Sequence, residues 1–242
     1  MNAIILAAGQ GSRLLPLTAD RPKCLVPVGG LTILEQQLAA LREAGVSQAT
    51  IVGGYRFDRL VEFTDRLPPE QRPQLINNPF FAVSSSIGSV WAARHLLGEP
   101  FCLLNGDSLF DARALKAAFD RLGNGVSLFV EPVEGLEHDD MLVHAERGRV
   151  LEVGKNLDSR RATHRSVGII ACRDADGDSY RAALEEVIAG PGGEQCFHHE
   201  IVDLLAKRGM VAAVEYEAGA WQEVDSPGDI DCWLGAADSA AA

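Results

Sequence analysis

Along most of this 242-residue chain, short apolar runs that stop at a turn residue alternate with segments of helical period. That alternation leaves few folds open. Residues 3–7 are aliphatic and close on a glycine loop, which reads as a buried strand. Residues 32–44 place Ile33, Leu34, Leu38 and Leu41 at helical spacing and stop at Gly45. The series continues with a strand at 49–52, a helix at 57–66 ended by Pro68-Pro69 and a strand at 74–77. A helix follows at 86–97, with three serines (Ser84 to Ser86) as candidate N-caps. Then come a strand at 101–105 running into Gly106-Asp107, a helix at 111–122 and a strand at 126–130. Strands separated by helices pair in parallel and carry helices on both faces. The second half is less regular. Residues 141–153 hold Gly148 inside a β pattern and predict a hairpin. Strands are expected at 167–172 and 211–216, helices at 180–188 and 200–207, and a helix start at Ser226-Pro227. There is no repeat and no long linker, so one domain over 1–242 is expected.

Residues 3–30 read AIILAAGQGSRLLPLTADRPKCLVPVGG. In open α/β sheets ligands bind beyond the carboxyl ends of the strands, and glycine lets backbone N–H groups approach a phosphate. A dinucleotide fingerprint wants a third glycine where this chain has Leu14, and an acid after the second strand where it has VGGY. A P-loop wants G-K-[ST], which is missing. The remaining reading is a loop wrapped round a nucleoside triphosphate. Arg13 grips the pyrophosphate portion bidentately, and Lys23, fixed in direction by Pro22, puts a point charge on the phosphorus under attack.

A formal net charge of −12 argues against nucleic acid and anionic membrane partners. The five cysteines (24, 102, 172, 196 and 232) are odd in number and form no C-x-x-C pair, which fits free thiols in a reducing compartment. The apolar run 3–8 is too short for a signal peptide and no stretch is long enough to span a bilayer, so a cytoplasmic protein is expected.

Asp107 in LLNGDSLF closes a buried strand, where an acid is costly for structure alone. Asp225 in WQEVDSP has a similar setting before a helix. Both are read as carboxylates for Mg²⁺. Glu223 is expected to point away from Asp225. Trp91 and Trp233 are read as packing, Trp221 as packing or as a π-face for a cation. His198 and His199, as neighbours, are expected to be solvated or capping, and Cys24 is not expected to be a nucleophile.

The match L-A-A-G-x-G-S-R followed by P-K resembles the signature of the nucleotidyltransferase superfamily. The islands NNPFFAVSSSIGSVWAARHLL, HDDMLV, GK and WQEVDSP look most like the phosphocholine and aminophosphonate cytidylyltransferases. The resemblance implies a three-layer α/β/α Rossmann-like fold with a mixed, mostly parallel sheet. It implies a nucleotide-binding half (1–130) and an acceptor-binding half (131–235). It implies transfer of a nucleotidyl group from an NTP, CTP first among them, to a phosphorylated or phosphonate acceptor, with release of pyrophosphate and dependence on Mg²⁺. By resemblance Leu6, Ala7, Ala8, Gly9, Gly11, Ser12, Arg13, Lys23, Ser86, Gly88 and Asp107 bind the nucleotide, and Asp107 and Asp225 the metal. Lys155 binds the acceptor phosphate, and Ser166 and Gly168 resemble an acceptor-side segment. Relatives often carry N-N-x-Y-S-L where this chain has Ser85-Ser86-Ile87-Gly88-Ser89-Val90, with smaller side chains for base or acceptor. A sugar-1-phosphate nucleotidylyltransferase and a turnover-free regulatory module are the alternatives, and the D-x-D motif of many glycosyltransferases is missing. Glu131, Glu134, Glu137, Asp139 and Asp140 stand within ten residues on the acceptor side. With Trp221 they raise the expectation of a zwitterionic acceptor, such as phosphocholine or 2-aminoethylphosphonate.

Overall fold

The computed structural model describes residues 1–133, 135, 139–173 and 177–240, with side chains to 236. Glu134, Glu137 and His138 of the acidic run therefore lie outside the described residues. The first half contains β1 (Asn2–Ala7), β2 (Pro27–Val28), β3 (Leu31–Thr32), α1 (Ile33–Glu43), β4 (Gln48–Gly53), α2 (Phe57–Asp65), β5 (Gln74–Asn77), α3 (Ser86–Ala92), β6 (Phe101–Asn105), β7 (Ser108–Phe110) and α4 (Ala112–Asp120). The second contains β8 (Val126–Pro132), β9 (Leu142–Glu146), β10 (Arg149–Gly154), β11 (His164–Cys172), α5 (Gly177–Ala189), α6 (His199–Lys207), β12 (Val211–Glu215), β13 (Trp221–Glu223) and α7 (Pro227–Ala240).

Alternation along the strands builds the layers. Ala3, Ile5 and Ala7 of β1 face one core with Leu34, Leu38 and Leu41 of α1 and Leu115 and Phe119 of α4. Ile4 faces the other with Ile87 and Val90 of α3, Tyr180 of α5 and Ile201 of α6. Both faces of β1 are thus dry, which is why its sequence is aliphatic without a polar alternate. Helix starts are set locally. Thr32 and Glu35 form a reciprocal capping box on α1, an arrangement whose cap is worth about 1 kcal/mol. Asp111 accepts from the backbone of Arg113 and Ala114 to start α4.

Among the described residues nine strands form one sheet in the order β5-β4-β1-β6-β11-β8-β12-β10-β9. The sheet is mixed. Parallel pairing runs through β5-β4-β1-β6 and between β8 and β12. Strand β11 lies antiparallel between β6 and β8, and the expected hairpin, β9-β10, is antiparallel at the edge. The parallel character expected from the first half is confined to it and to β8-β12. The chain reverses after β9 and β10 by a turn rather than a helix, so those strands have no parallel crossover.

Two departures bear on the site. The predicted helix 86–97 is α-helical only to Ala92 and finishes as a 3-10 turn at Arg94–Leu96. The stretch after Asp107, which the sequence pattern leaves without an element, is a short strand: β7 pairs antiparallel with β13 in a ribbon outside the main sheet. A third core of Leu14, Val26, Val28, Ile33, Leu109 and Val224 packs under this ribbon against Ile230, Trp233 and Leu234 of α7. No helix among the described residues is long and apolar enough to cross a membrane.

Candidate active site

The carboxyl ends of β1 and β6 open onto a cleft of about 770 Å³. One wall begins where β1 gives way to Ala8, Gly9 and Gly11. Gly11 adopts φ +70°, and a Cβ there would meet the Lys23 side chain at 2.9 Å. Glycine is therefore required twice, for the left-handed backbone and for the lysine stem laid against it. Thr18 donates its hydroxyl to the Gly11 carbonyl at 2.9 Å and holds the loop's shape. Of the residues expected on the nucleotide, Leu6, Ala8, Gly9, Gly11, Ser12, Arg13, Lys23, Ser86 and Asp107 line the cleft. Ala7 and Gly88 are not among the lining residues: Ala7 is buried in the core, and a Cβ on half-buried Gly88 would strike the side chain of Ser84, which does line the cleft.

Lys23 is the buried cation of the site. Its Nζ lies 2.8 Å from Asp107 Oδ2 and 2.5 Å from Asp225 Oδ1. Burial works against its charge, but the two carboxylates outweigh burial and hold the ammonium above its ordinary range. Arg13, largely exposed, bridges Asp225 at 2.8 Å and Asp139 at 2.6 Å.

Each carboxylate is delivered by backbone. Gly106 sits so close to β1 that a Cβ would meet the Leu6 carbonyl at 2.6 Å, so Asp107 leaves β6 in a turn only glycine allows. Buried Gln37 of α1 donates to the carbonyls of Asn105 and Ser108 at 2.7 Å each and clamps that turn from below. The Val224 amide donates to the Asp107 carbonyl at 2.9 Å, tying β13 alongside. Asp229, in the first turn of α7, accepts from the amides of Asp225 and Ser226 and fixes the bend that presents Asp225.

Glu223 is a correction. It does not point away: oxygens of Asp107, Glu223 and Asp225 all lie within 4.8 Å of one another. Residues two apart on a strand share a face, and it is the intervening Val224 that turns into the core. Crowding by protein, then the negative charge of Asp107 and Asp225, pushes the Glu223 carboxyl up to about 8 despite Lys23 and Arg13. Asp107 Oδ1 is buried without a hydrogen-bond partner among the described residues. Three converging carboxylates, one with an orphan oxygen and one whose carboxyl is pushed up by desolvation and by its two acidic neighbours, suit a hard divalent cation that takes oxygen ligands.

Farther along the cleft, Lys155 lies 3.6 Å from Asp139 and over the Phe197 ring at 4.8 Å. Asp140 pairs with Arg165 at 3.5 Å. Trp221 packs on the core and also lines the cleft: its indole N–H donates to buried Glu131, and the Arg165 guanidinium lies 5.3 Å from its ring centre. Ser166 Oγ accepts from the Gly168 amide, 3.1 Å away.

His198 and His199 are a second correction. They are neither solvated nor a side-chain cap. Both are buried on the cleft wall with their rings 4.3 Å apart. His198 Nδ1 meets Ser86 Oγ at 2.9 Å and His199 Nε2 meets Ser166 Oγ at 2.9 Å. Ser86 is the first residue of α3 itself, and Ser85 holds the N-cap position without a side-chain bond. Burial holds both imidazoles neutral, His198 down to about 4 and His199 well below its usual range. Burial also pushes the Cys24 thiol up to about 12, which removes it as a nucleophile. Sequence reasoning missed Arg165, Phe197 and the histidine pair as cleft groups. Glu131, expected with the acceptor-side acids, is buried behind the lining rather than part of it.

Residues 3–174 match the family model described as the MobA-like NTP transferase domain. The chain is 29% identical over 242 residues to the CMP-5'-(3-aminopropyl)phosphonate synthase of Streptomyces rubellomurinus, covering 95% of this chain and 37% of that protein. It is 30% identical over 234 residues to the bifunctional IPC transferase and DIPP synthase of Rubrobacter xylanophilus, covering 95% and 50%. The chain thus spans half or less of the length of these curated relatives. Among solved structures it superimposes on the CTP:phosphocholine cytidylyltransferase of Streptococcus pneumoniae with a TM-score of 0.80, at 21% identity and 98% coverage of each chain. At that identity the likeness shows the fold alone.

Proposed function

Because the chain belongs to the MobA-like NTP transferase domain family, we propose that it transfers the nucleotidyl group of an NTP, with CTP preferred, to a small phosphorylated or phosphonate alcohol or amine. The observation that carries this reading is the convergence of Lys23, Arg13 and three carboxylates on a glycine loop at the open ends of parallel strands. The preference for CTP is supported by the CMP product named for the Streptomyces relative.

An acceptor phosphate or phosphonate oxygen attacks the α-phosphorus in line. A new P–O bond forms there, the bond to the β-phosphate oxygen breaks, and pyrophosphate leaves with that electron pair. No covalent enzyme intermediate is needed, so the chain contributes position and charge. The bare backbone of Gly9 to Ser12 lets amides approach phosphate oxygens, and Arg13 offers two parallel donors to the departing pyrophosphate. Lys23 stabilises the charge that builds at the α-phosphate, and Lys155 orients the acceptor anion. Asp107, Glu223 and Asp225 would hold Mg²⁺, which when bound neutralises phosphate oxygens as bonds change. Residues 1–130 serve the nucleotide and 131–235 the acceptor. The free thiols throughout the chain support a reducing, cytoplasmic setting.

The test is pyrophosphate release from a matrix of the four NTPs against phosphorylated alcohols, phosphonates and sugar phosphates. CTP with a small acceptor should turn over, stop in EDTA, and fall by orders of magnitude in Asp107→Ala and Asp225→Ala. Pyrophosphate release from no pair, or near-normal rates in EDTA, would sink the reading.

A further inference from the structure

Trp221 and Asp140 line the cleft with buried Glu131 behind them, and together they make the kind of slot that recognises a substrate ammonium: an aromatic face backed by carboxylates. In this chain the slot is filled from within. The Arg165 guanidinium lies 5.3 Å from the Trp221 ring centre, 3.4 Å from Glu131 and 3.5 Å from Asp140. Burial opposes its charge, but the charges of Glu131 and Asp140 hold it firmly protonated. The third acid at this end, Asp139, faces Arg13 at 2.6 Å and Lys155 at 3.6 Å. Among the described residues the three acids Glu131, Asp139 and Asp140 are therefore met by the three resident cations Arg13, Lys155 and Arg165. The acidity that the sequence offers to a substrate cation is already answered.

The wall between the reacting centre and Lys155 is neutral. His198 feels the charge of Asp107, and His199 that of Lys155, which places the pair along that wall. Around them stand hydroxyl and amide groups: Ser86, Ser166, Asn105 and Ser85 also line the cleft. Such groups pair with hydroxyls without cost and give an unpaired ammonium nothing to neutralise it.

We infer that Arg165 is a specificity-determining residue that occupies the cation slot, so that the preferred acceptor carries its phosphate or phosphonate on an uncharged, hydroxyl-bearing organic group rather than on an amine. This rests on the nucleotidyl-transfer reading and departs from the zwitterionic acceptor that the run of acids leads one to expect. The matched probes are 2-hydroxyethylphosphonate and 2-aminoethylphosphonate, which differ only in the group at issue. With CTP and Mg²⁺ the wild-type protein should favour the hydroxy compound at least tenfold in kcat/KM. Arg165→Ala uncovers Trp221 and Asp140, leaves buried Glu131 behind them without its cation, and should move that ratio toward the amine by tenfold or more, with the CTP KM unchanged. Arg165→Lys keeps a cation in the slot and should retain the wild-type ratio. A wild-type preference for the amine, or a ratio unmoved in Arg165→Ala while circular dichroism and CTP binding stay normal, overturns the inference. Calorimetric titration of both phosphonates into the CTP-bound protein reads the slot without turnover. If nothing turns over, the transfer reading fails by itself, and the inference then stands or falls on whether the hydroxy compound binds more tightly.

Discussion

With its Nζ 2.8 Å from Asp107 and 2.5 Å from Asp225, Lys23 keeps two acids apart from each other's charge in a site that also contains Glu223. Its buried stem against Gly11 leaves it little freedom, so it is aimed before substrate arrives. A cation held that way contributes most where negative charge develops. Lys23→Ala should therefore lower kcat by about 100-fold or more while the NTP KM changes much less. Steady-state kinetics of pyrophosphate release checks it, and a pure KM effect would make Lys23 a binding group only. Glu223 illustrates how a single residue is misread. The i, i+2 rule puts it beside Asp225, and the buried Val224 between them marks the other face.

At the scale of elements, two pieces of the fold hold the site in register. Helix α1 reaches up through Gln37 to the carbonyls on either side of the Gly106-Asp107 turn. Gln37→Leu fills similar space but leaves two buried carbonyls without donors. It should cost about 1–3 kcal/mol per carbonyl left unsatisfied, and kcat should fall while the NTP KM is spared. Denaturant melts and kinetics on the same preparation separate the two effects, and unchanged stability would show that the clamp is not needed. The Thr32 cap on the same helix serves the helix start and touches no cleft group. The second piece is the entry to α6, where His198 and His199 are buried neutral. An unfolded histidine binds its proton near pH 6.5, whereas folded His198 does so only near pH 4. Between those values the unfolded state binds more protons, so stability is full above pH 6.5 and is lost as pH falls toward 4. With a folded value of about 4, His198 alone removes about 2 kcal/mol by pH 5. The melting temperature should hold from pH 8 to 7 and drop at pH 5, with the His198 imidazole resonance still that of the neutral ring. A resonance that titrates near pH 6.5 would contradict the buried pair.

For the whole molecule, the sheet is the coupling device. Strand β11 comes from the second half of the chain yet pairs with β6 of the first, and β8 and β12 continue the same sheet outward. Neither half owns a complete face: the core containing Ile4 and Val52 also contains Ile170, Tyr180 and Ile201. We expect one cooperative unfolding transition, with near-ultraviolet and far-ultraviolet circular dichroism coincident in urea. Two separated transitions would show that the two halves of the chain are independent domains.

The sequence by itself determined the parts that depend on neighbours along the chain. Period and punctuation located β1, α1, β4, β5, β6 and α4, because a strand buried on both faces must be aliphatic and a helix start must satisfy its own amides. The glycine loop, Arg13, Lys23, Asp107 and Asp225 were legible as separate candidates, since each stands in a short motif with chemistry of its own. Only the tertiary structure decided which charges meet. The β7-β13 ribbon is three residues per strand, too short to leave a periodic trace, yet it is what carries Glu223 and Asp225 to Asp107. Arg165 and Glu131 lie opposite each other on paired strands β11 and β8, a register fixed by packing of the sheet and by nothing local. Glu131, Asp139 and Asp140 read as a lure for a cation along the chain, and as answered charges in space, because electrostatic energy follows distance rather than order in sequence.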